Sequence, residues 1–243
     1  MDEPIEDNNQ DAIDFFSQLP DNYIVFEEQV DVKNQLDYFE ASKKCREEKK
    51  DFNVLEIREK LFLPDTSIEE KKQILVQLAS LENIEDFRVI EKYKNNPDPE
   101  MKDWAALAFI ESKTLIENSL TDESHVIISS GLGGKKNCLR FFIVLFNVHE
   151  SGFSDTQKKV LKTETEIKFS EYNSEIEEIN FYNNYCTATC LIPVKTPVHV
   201  IFRSIIDECN LFGNFLKTNF IVTNVKKLSQ EEIMQLEENN KVK

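Results

Sequence analysis

The sequence predicts an α+β protein in which an all-helical region precedes a domain built on an antiparallel sheet. Over residues 33–120, apolar side chains recur three or four positions apart, as they do on the buried face of a helix. Over residues 121–243, β-branched and aromatic residues form short runs of strand length. The 243 residues, 40% of them hydrophobic, are enough for two modest domains with separate cores.

An acidic segment precedes the helical region. The chain has 45 acidic and 29 basic residues, a formal charge of −16, and residues 1–32 contain ten acids and no base. We interpret residues 1–32 as an acidic N-terminal arm, because such a composition buries too little apolar surface to fold alone. Phe15 and Phe16 interrupt the acidic run and leave two interpretations open: a plain polar tail, or a linear motif that docks in a groove of a partner.

Five consecutive helices are predicted in the helical region. Their approximate spans are residues 33–50, 52–62, 68–81, 84–93 and 97–120. Ser67 is the expected N-cap of the third helix, and Glu70 completes a capping box three residues later. Pro64 and Pro97, which lack a backbone N–H, mark the ends of the second and fourth helices.

The start of the last of these helices carries a distinctive pattern. Asp98 lies between two prolines and is followed by Met101, Lys102 and then a pair of alanines. This pattern resembles the start of a HEAT-repeat helix, over about residues 65–120, and the resemblance implies stacked helical hairpins that present surfaces to protein partners. An ordinary helical bundle is the alternative, because Lys102 stands where such repeats usually have arginine and no second copy of the pattern is evident.

Trp104, the single tryptophan, lies in the same helix. Two roles are open for it. Its ring either packs between helices as an anchor, or lies exposed on a concave surface as an interaction hot spot. The second role makes Trp104 a candidate interaction residue.

Beyond residue 121, strands and helices are mixed. The predicted strands span residues 126–128, 139–146, 176–182, 185–194 and 220–225. A helix begins at Thr196-Pro197, and a polar helical tail begins at Ser229. The apolar face of the first of these helices consists of Ile201, Ile205, Cys209 and Phe212.

Residues 155–172 are ambiguous between helix and strand. Ser154 and Gln157 have the spacing of a capping box, which predicts a helix. Thr163, Thr165 and Ile167, however, alternate with charged residues, as in a half-buried strand. Both interpretations stay open.

With a helix at residues 155–172, the order from residue 139 onward is β-α-β-β-α-β. This order is similar to the split βαβ arrangement of ferredoxin-like domains. The resemblance implies an antiparallel sheet whose central strands are residues 139–146 and 186–194. The strand at residues 126–128 has no counterpart in that fold.

The glycine-rich loop over residues 131–137 is the first candidate binding site. It lacks the glycine spacing and the serine or threonine of a phosphate-binding P-loop, and it leads into a strand where a P-loop needs a helix. Two interpretations remain, a plain hairpin loop and an anion-contacting loop. In the second, the ligand-binding residues are Gly131, Gly133, Gly134, Lys135 and Lys136.

We predict no catalytic residue, no metal site and no cofactor. On a strand, Cys186 and Cys190 share one face with their α-carbons about 13 Å apart, too far for a disulfide or a shared zinc ion. The one catalytic constellation the sequence suggests is His149 with Glu150, near Cys138 only if the hairpin places it there. A structural role for these residues is the alternative.

Composition and length exclude several functions. The negative charge disfavours duplex DNA and anionic membranes, so neither nucleic acid nor a membrane is an expected partner. The longest apolar run, residues 141–146, is far shorter than the roughly 20 residues of a membrane-spanning helix. No signal-like segment is evident at the start, and five cysteines, an odd number, do not suggest a disulfide framework. We therefore expect a cytoplasmic protein.

These observations favour a cytoplasmic, non-enzymatic interaction or adaptor protein with a helical platform and an α+β module, which binds a protein partner. One alternative is a regulatory protein that senses a small ligand through the α+β domain, for which the glycine loop is the supporting feature. A second alternative is an enzyme whose site assembles from residues distant in sequence.

Overall fold

Two units divide the chain in this computed structural model, residues 20–128 and residues 129–243. The structure describes residues 22–48, 52–121 and 123–241. We call residues 20–128 the helical unit and residues 129–243 the sheet unit. Their helices and antiparallel strands confirm the predicted α+β class. Among the described residues, no helix has both the length and the apolar character needed to cross a membrane.

The helical unit contains helices and one small parallel strand pair. Its helices are α1 (Val32–Glu48), α2 (Val54–Lys60), α3 (Ile68–Ala79), α4 (Ile84–Asn95) and α5 (Lys102–Thr121), with a 3-10 turn at Pro99–Met101. Its strands, β1 (Tyr23–Val25) and β2 (Val126–Ile128), pair in parallel. We had expected a purely helical unit, and this strand pair shows that the unit is not purely helical.

Side-chain caps begin several of these helices. The Ser67 hydroxyl accepts the backbone N–H of Glu70 at 3.2 Å, as the sequence predicts. Asn53 and Asn83 accept backbone N–H groups at the starts of α2 and α4. Each cap satisfies a donor that has no partner within its own helix.

Helix α5 packs against α1, α3 and α4. Its buried residues Ala105 and Ala108 let these neighbours approach closely, because they have small side chains. Asp98, just before α5, accepts hydrogen bonds from Lys71 Nζ of α3 at 2.5 Å and from the Tyr93 hydroxyl of α4 at 2.6 Å. These two donors hold the pKa of the Asp98 carboxyl below its ordinary value.

The boundaries of the helical unit differ from the expected ones. Residues 22–32, which we assigned to the acidic arm, include Val25, Phe26 and Val30, all buried. Residues 126–128, which we assigned to the α+β domain, form the strand that pairs with β1. Both corrections have the same cause, because a pairing between segments about a hundred residues apart leaves no local pattern in the sequence.

The sheet unit combines antiparallel strands with three helices among its described residues. Its elements are β3 (Gly134–Lys135), β4 (Cys138–Asn147), α6 (Asp155–Glu171), β5 (Glu175–Phe181), β6 (Tyr185–Pro193), α7 (Val198–Asn210), β7 (Leu216–Thr223) and α8 (Gln230–Lys241). The four long strands are antiparallel in the order β5-β6-β4-β7, and β3 also pairs with β4.

The ambiguous segment is the helix α6. Its capping box is formed in both directions between Ser154 and Gln157. Leu161, Thr165 and Phe169, spaced four apart, are its buried residues. The alternation with charged residues therefore reflects two sides of a helix, since positions four apart share a helical face.

The sheet carries helices on both of its faces. On one face, α6 and α7 meet through the Phe169 and Phe202 rings, and Phe202 contacts Phe220 of β7. On the other face, Ile233 of α8 packs in a cluster with apolar residues of β4 and β6. That cluster also contains Leu132, Phe142, Val144, Phe146 and Tyr185.

One residue of the predicted apolar face of α7 lies elsewhere. Ile201, Ile205 and Cys209 are fully buried, as expected, but Phe212 is 63% exposed. The helix ends at Asn210, so Phe212 lies beyond the last helical turn and no longer shares the face of the other three.

Candidate functional site

A cleft in the helical unit opens between α1 and α3. Its volume is about 360 Å³. Its lining is partly apolar. The apolar residues are Ala41 and Cys45 of α1, Phe52 between α1 and α2, Val76 of α3, and Trp104 of α5. We call it the Trp104 cleft, and it has the size of a pocket for a small molecule or for a few apolar side chains.

Trp104 is a packing residue that also lines this cleft. Its side chain is only 6% exposed, and its ring meets the Tyr38 ring edge to face with centroids 5.3 Å apart. Lys72 Nζ lies 5.1 Å from the Trp104 ring centroid, within the range of a cation–π contact. Trp104 is therefore a packing anchor, which a binding partner can reach only through the cleft.

Charged side chains of both signs surround the apolar lining. On α1, Lys44 Nζ lies 4.0 Å from the Glu48 carboxylate, and on α3, Lys72 Nζ lies 2.8 Å from the Glu69 carboxylate. Such pairs near the surface contribute little to stability.

A second cavity lies in the sheet unit, where α8 crosses the sheet. Its volume is about 330 Å³. Phe142 of β4, Tyr185 of β6 and Ile233 of α8 form its buried apolar floor. Glu178 and Lys227 lie at its rim and form an ion pair of 3.0 Å. We call it the sheet cavity.

The glycine loop contacts the segment after β7, part of which lines this cavity. The Leu132 N–H donates to the Asn224 carbonyl at 2.9 Å. A β-carbon on Gly131 would lie 1.9 Å from the carbonyl oxygen of Val225, so this approach requires glycine. These contacts fix the position of the segment that follows β7. Lys227 lies in that segment.

The other candidate residues of the loop are engaged within the fold. The Gly133 carbonyl accepts the Arg140 N–H at 2.9 Å, and Gly134 pairs with β4. Lys135 Nζ lies 4.0 Å from the Glu175 carboxylate, and Lys136 has a φ of 54° in the turn between β3 and β4. The five predicted ligand residues therefore lie in one hairpin loop, whose contacts join it to β4, to β5 and to the segment after β7.

Three of the cysteines, Cys186, Cys190 and Cys209, are buried, and Cys45 and Cys138 are partly buried. Burial raises the pKa of Cys186 to about 12 and also raises that of Cys190. Burial likewise raises the pKa of Cys45 and of Cys138. Because only the thiolate is a good nucleophile or metal ligand, these environments disfavour both roles.

Cys138 does not join His149 in the suggested catalytic constellation. Cys138 begins β4 and His149 lies two residues beyond its last residue, Asn147, so the length of a ten-residue strand, about 30 Å, separates them. His125 belongs to the helical unit, where its ring contacts Asn118. Within the described part of the chain, no group of three or more potential metal ligands occurs.

The sequence singled out Trp104 but missed most of the other cavity residues. Lys72, Glu178 and Lys227 are ordinary charged residues in sequence, and no spacing distinguishes them from many others. Tyr182 and Tyr185 flank the predicted Asn-Asn turn, and this pair of aromatic residues could have indicated the cavity from the sequence. Phe15 and Phe16 lie outside the described residues.

Comparisons with known proteins show little similarity. No protein-family model matches the chain, and no curated protein matches it. A solved structure described as a REP-associated tyrosine transposase bound to a REP hairpin aligns with 12% identity and a TM-score of 0.33. The alignment covers 40% of this chain and 61% of that one, so this chain spans less than two thirds of that protein. A TM-score this low carries no argument about fold or function.

Proposed function

We propose that this protein is a non-enzymatic interaction or adaptor protein whose helical unit binds a partner at the Trp104 cleft. The proposed occupant is an amphipathic helix of a protein with net positive charge. The observation that carries the proposal is the cleft itself, whose apolar lining includes a buried tryptophan and whose rim carries two charge pairs. Grooves of this kind bind helices through a few apolar anchor residues.

Charge supports the choice of partner. Residues 20–128 contain 25 acidic and 15 basic residues, whereas residues 129–243 contain 14 of each. The net charge of −10 in the helical unit attracts a basic protein over long range and accelerates its association. A basic helix then finds Glu48 and Glu69 at the rim of the cleft.

Two finer assignments of fold belong to this proposal. We propose that α3, α4 and α5 are HEAT-like hairpins, supported by the contacts of Asp98 with α3 and α4. We propose that the sheet unit is ferredoxin-like, supported by its β-α-β-β-α-β order and by β4 and β6 at the centre of the antiparallel sheet. HEAT-like hairpins commonly present surfaces to protein partners.

The test fills the cleft without removing core atoms. In Ala41→Phe a new ring occupies the cleft, whereas Leu36→Phe adds a ring to α1 at a site that is 66% exposed and outside the cleft. We expect the wild-type chain and Leu36→Phe to recover the same stoichiometric basic partner from the native host. Ala41→Phe is expected to weaken binding of the purified partner at least about tenfold, which is about 1.4 kcal/mol.

Two results would contradict the proposal. One is equal affinity of the purified partner for the wild-type chain and for Ala41→Phe, since the partner then binds elsewhere. The other is a failure to recover any stoichiometric partner with the wild-type chain under native conditions. Circular dichroism of both variants checks that they keep the helical content of the wild-type chain.

A further inference from the structure

The sheet cavity is a site of a different kind from the Trp104 cleft. Its volume of about 330 Å³ is at the lower end of the range for small-molecule pockets, about 300–1,000 Å³. Its floor is buried, with Ile233 at 2% exposure, Tyr185 at 4% and Phe142 at 6%. Its apolar floor and the half-exposed Tyr182 at its mouth suit one ring-bearing metabolite.

The rim of the sheet cavity carries one negative and one positive charge. Glu178 and Lys227 are the charged residues among its described lining, and each side chain is about half exposed. Hydrogen bonds from Asn180 and Lys227 lower the pKa of the Glu178 carboxyl, so it is ionised at neutral pH. An exposed pair of this kind contributes about 0–1 kcal/mol, so separating its members around a ligand costs little.

Aromatic rings define the apolar part of the cavity. The Tyr182 and Tyr185 rings stack with centroids 4.7 Å apart and an interplanar angle of 20°. Tyr185 is buried beside Phe142, while Tyr182 is 49% exposed at the mouth of the cavity. Aromatic rings prefer such offset-stacked or edge-to-face contacts, so a further ring is well accommodated here.

We propose that the sheet cavity binds a free α-amino acid with an aromatic side chain. The ring of the ligand stacks on the half-exposed Tyr182 ring at the mouth of the cavity, because the buried Phe142, Tyr185 and Ile233 offer it little surface. Its carboxylate pairs with Lys227 and its ammonium group pairs with Glu178, so one exposed ion pair is replaced by two partly enclosed ones. This inference goes beyond the proposed protein interaction and does not depend on it.

The charges at the rim distinguish this ligand from a nucleotide. A phosphate carries two negative charges, and the cavity would offer it a single lysine beside a carboxylate. A zwitterion presents one charge of each sign, as the rim does. Electrostatic complementarity of this kind determines which ligand a site selects.

The test titrates the 243-residue chain with L-tryptophan and L-phenylalanine by isothermal titration calorimetry. We expect saturable binding of at least one of them at concentrations below about 10 mM. L-alanine has the two charges without a ring, and indole has a ring without the charges. Each is expected to bind at least about tenfold more weakly than L-tryptophan.

Three variants locate the binding at the rim. Lys227→Gln and Glu178→Gln each remove one charge of the cavity, and each is expected to weaken L-tryptophan binding at least about tenfold. Lys226→Gln is the matched control, because Lys226 is the adjacent residue, pairs with Glu232 and does not line the cavity. Its affinity for L-tryptophan is expected to equal that of the wild-type chain.

Several outcomes would overturn the proposal. Absence of saturable binding of both aromatic amino acids rejects it, as does unchanged L-tryptophan affinity in Lys227→Gln and Glu178→Gln. Equal affinity for indole shows an apolar pocket without recognition of a zwitterion. Tighter binding of adenosine than of L-tryptophan shows a site for a nucleoside, which also rejects it.

Discussion

Glu111 is a buried carboxylate that holds two helices of the helical unit together. From α5 it accepts hydrogen bonds from the Tyr38 hydroxyl at 2.6 Å and the Ser42 hydroxyl at 2.5 Å, both on α1. Arg46 Nη1 lies 3.1 Å from the same carboxylate. Burial and the negative charge of Glu111 raise the pKa of Tyr38, so its phenol remains a donor.

We expect Glu111→Ala to lower the free energy of unfolding by about 3 kcal/mol, because two buried hydroxyls lose their acceptor and a charged network is broken. Urea unfolding of the full chain, followed by circular dichroism, measures this. Glu117→Ala changes the same residue type further along α5, where it pairs loosely with Lys113 at 3.7 Å, and is expected to cost less than about 0.5 kcal/mol. Similar costs for the two variants would contradict a structural role of the network.

Asp98 predicts a dependence of stability on pH. The hydrogen bonds from Lys71 and Tyr93 hold its pKa in the folded protein below the ordinary value of 3.8. A carboxyl with a lowered pKa stabilises the fold above its unfolded pKa, and this contribution is lost as the pH falls through the folded pKa.

The destabilisation by Asp98→Asn is therefore expected to be larger at about pH 6 than at about pH 3, which lies below the ordinary carboxyl pKa, so that part of this contribution has been lost. Urea unfolding of both chains at the two pH values gives the difference directly. An equal penalty at both values would show that the charge of Asp98 contributes nothing and that Lys71 and Tyr93 need only a polar acceptor.

At the level of elements, α8 is the cover of the sheet cavity. Ile233 anchors it to the sheet, and the buried Glu237 carboxylate accepts a hydrogen bond from Lys217 Nζ of β7 at 2.6 Å. The other apolar residues of this helix, Met234 and Leu236, are 45% and 39% exposed, so Ile233 is its one fully buried apolar side chain among the described residues. Helices attached through few contacts open locally before the protein unfolds globally.

We expect Ile233→Ala to destabilise the docking of α8 by about 2–4 kcal/mol, the usual cost of truncating a buried isoleucine. Hydrogen exchange of the amides of residues 230–241 should accelerate, while that of β4 should stay slow. Met234→Ala is the matched control, since Met234 is the next residue and is 45% exposed. Uniform acceleration across the sheet unit would show that α8 does not open separately.

Two elements show what local patterns predict. The Ser154–Gln157 capping box correctly indicated α6, although alternating residues within it favoured a strand. The strand at residues 126–128 was predicted, but its partner β1 was hidden in the segment that we interpreted as an acidic arm. A cap is formed by neighbours in sequence, whereas a parallel pair is formed by segments far apart.

For the whole molecule, the charge is concentrated in one part of the chain. Of the formal charge of −16, residues 129–243 contribute nothing, since their 14 acids balance their 14 bases. The helical unit carries −10, with 25 acids and 15 bases. Long-range electrostatic effects on association are therefore expected from the helical unit and not from the sheet unit.

This distribution predicts that the association rate of the proposed basic partner depends on salt. Raising the ionic strength from about 0.1 M to about 1 M shortens the Debye length from about 10 Å to about 3 Å. We expect the association rate constant, measured by surface plasmon resonance with the purified partner, to fall at least about tenfold while the dissociation rate changes little. An association rate that does not respond to salt would contradict attraction by the acidic unit.

The sequence by itself determined the α+β class, the helices of the helical unit and most of the strands, because apolar periodicity, caps and turns are local properties. Only the tertiary structure decided that residues 22–32 belong to the helical unit and that residues 126–128 pair with them. The tertiary structure also forms the sheet cavity, which is lined by residues from four separate segments: Phe142, Glu178, Lys227 and Ile233. The path of the folded chain brings such residues together, and no spacing in the sequence records that path.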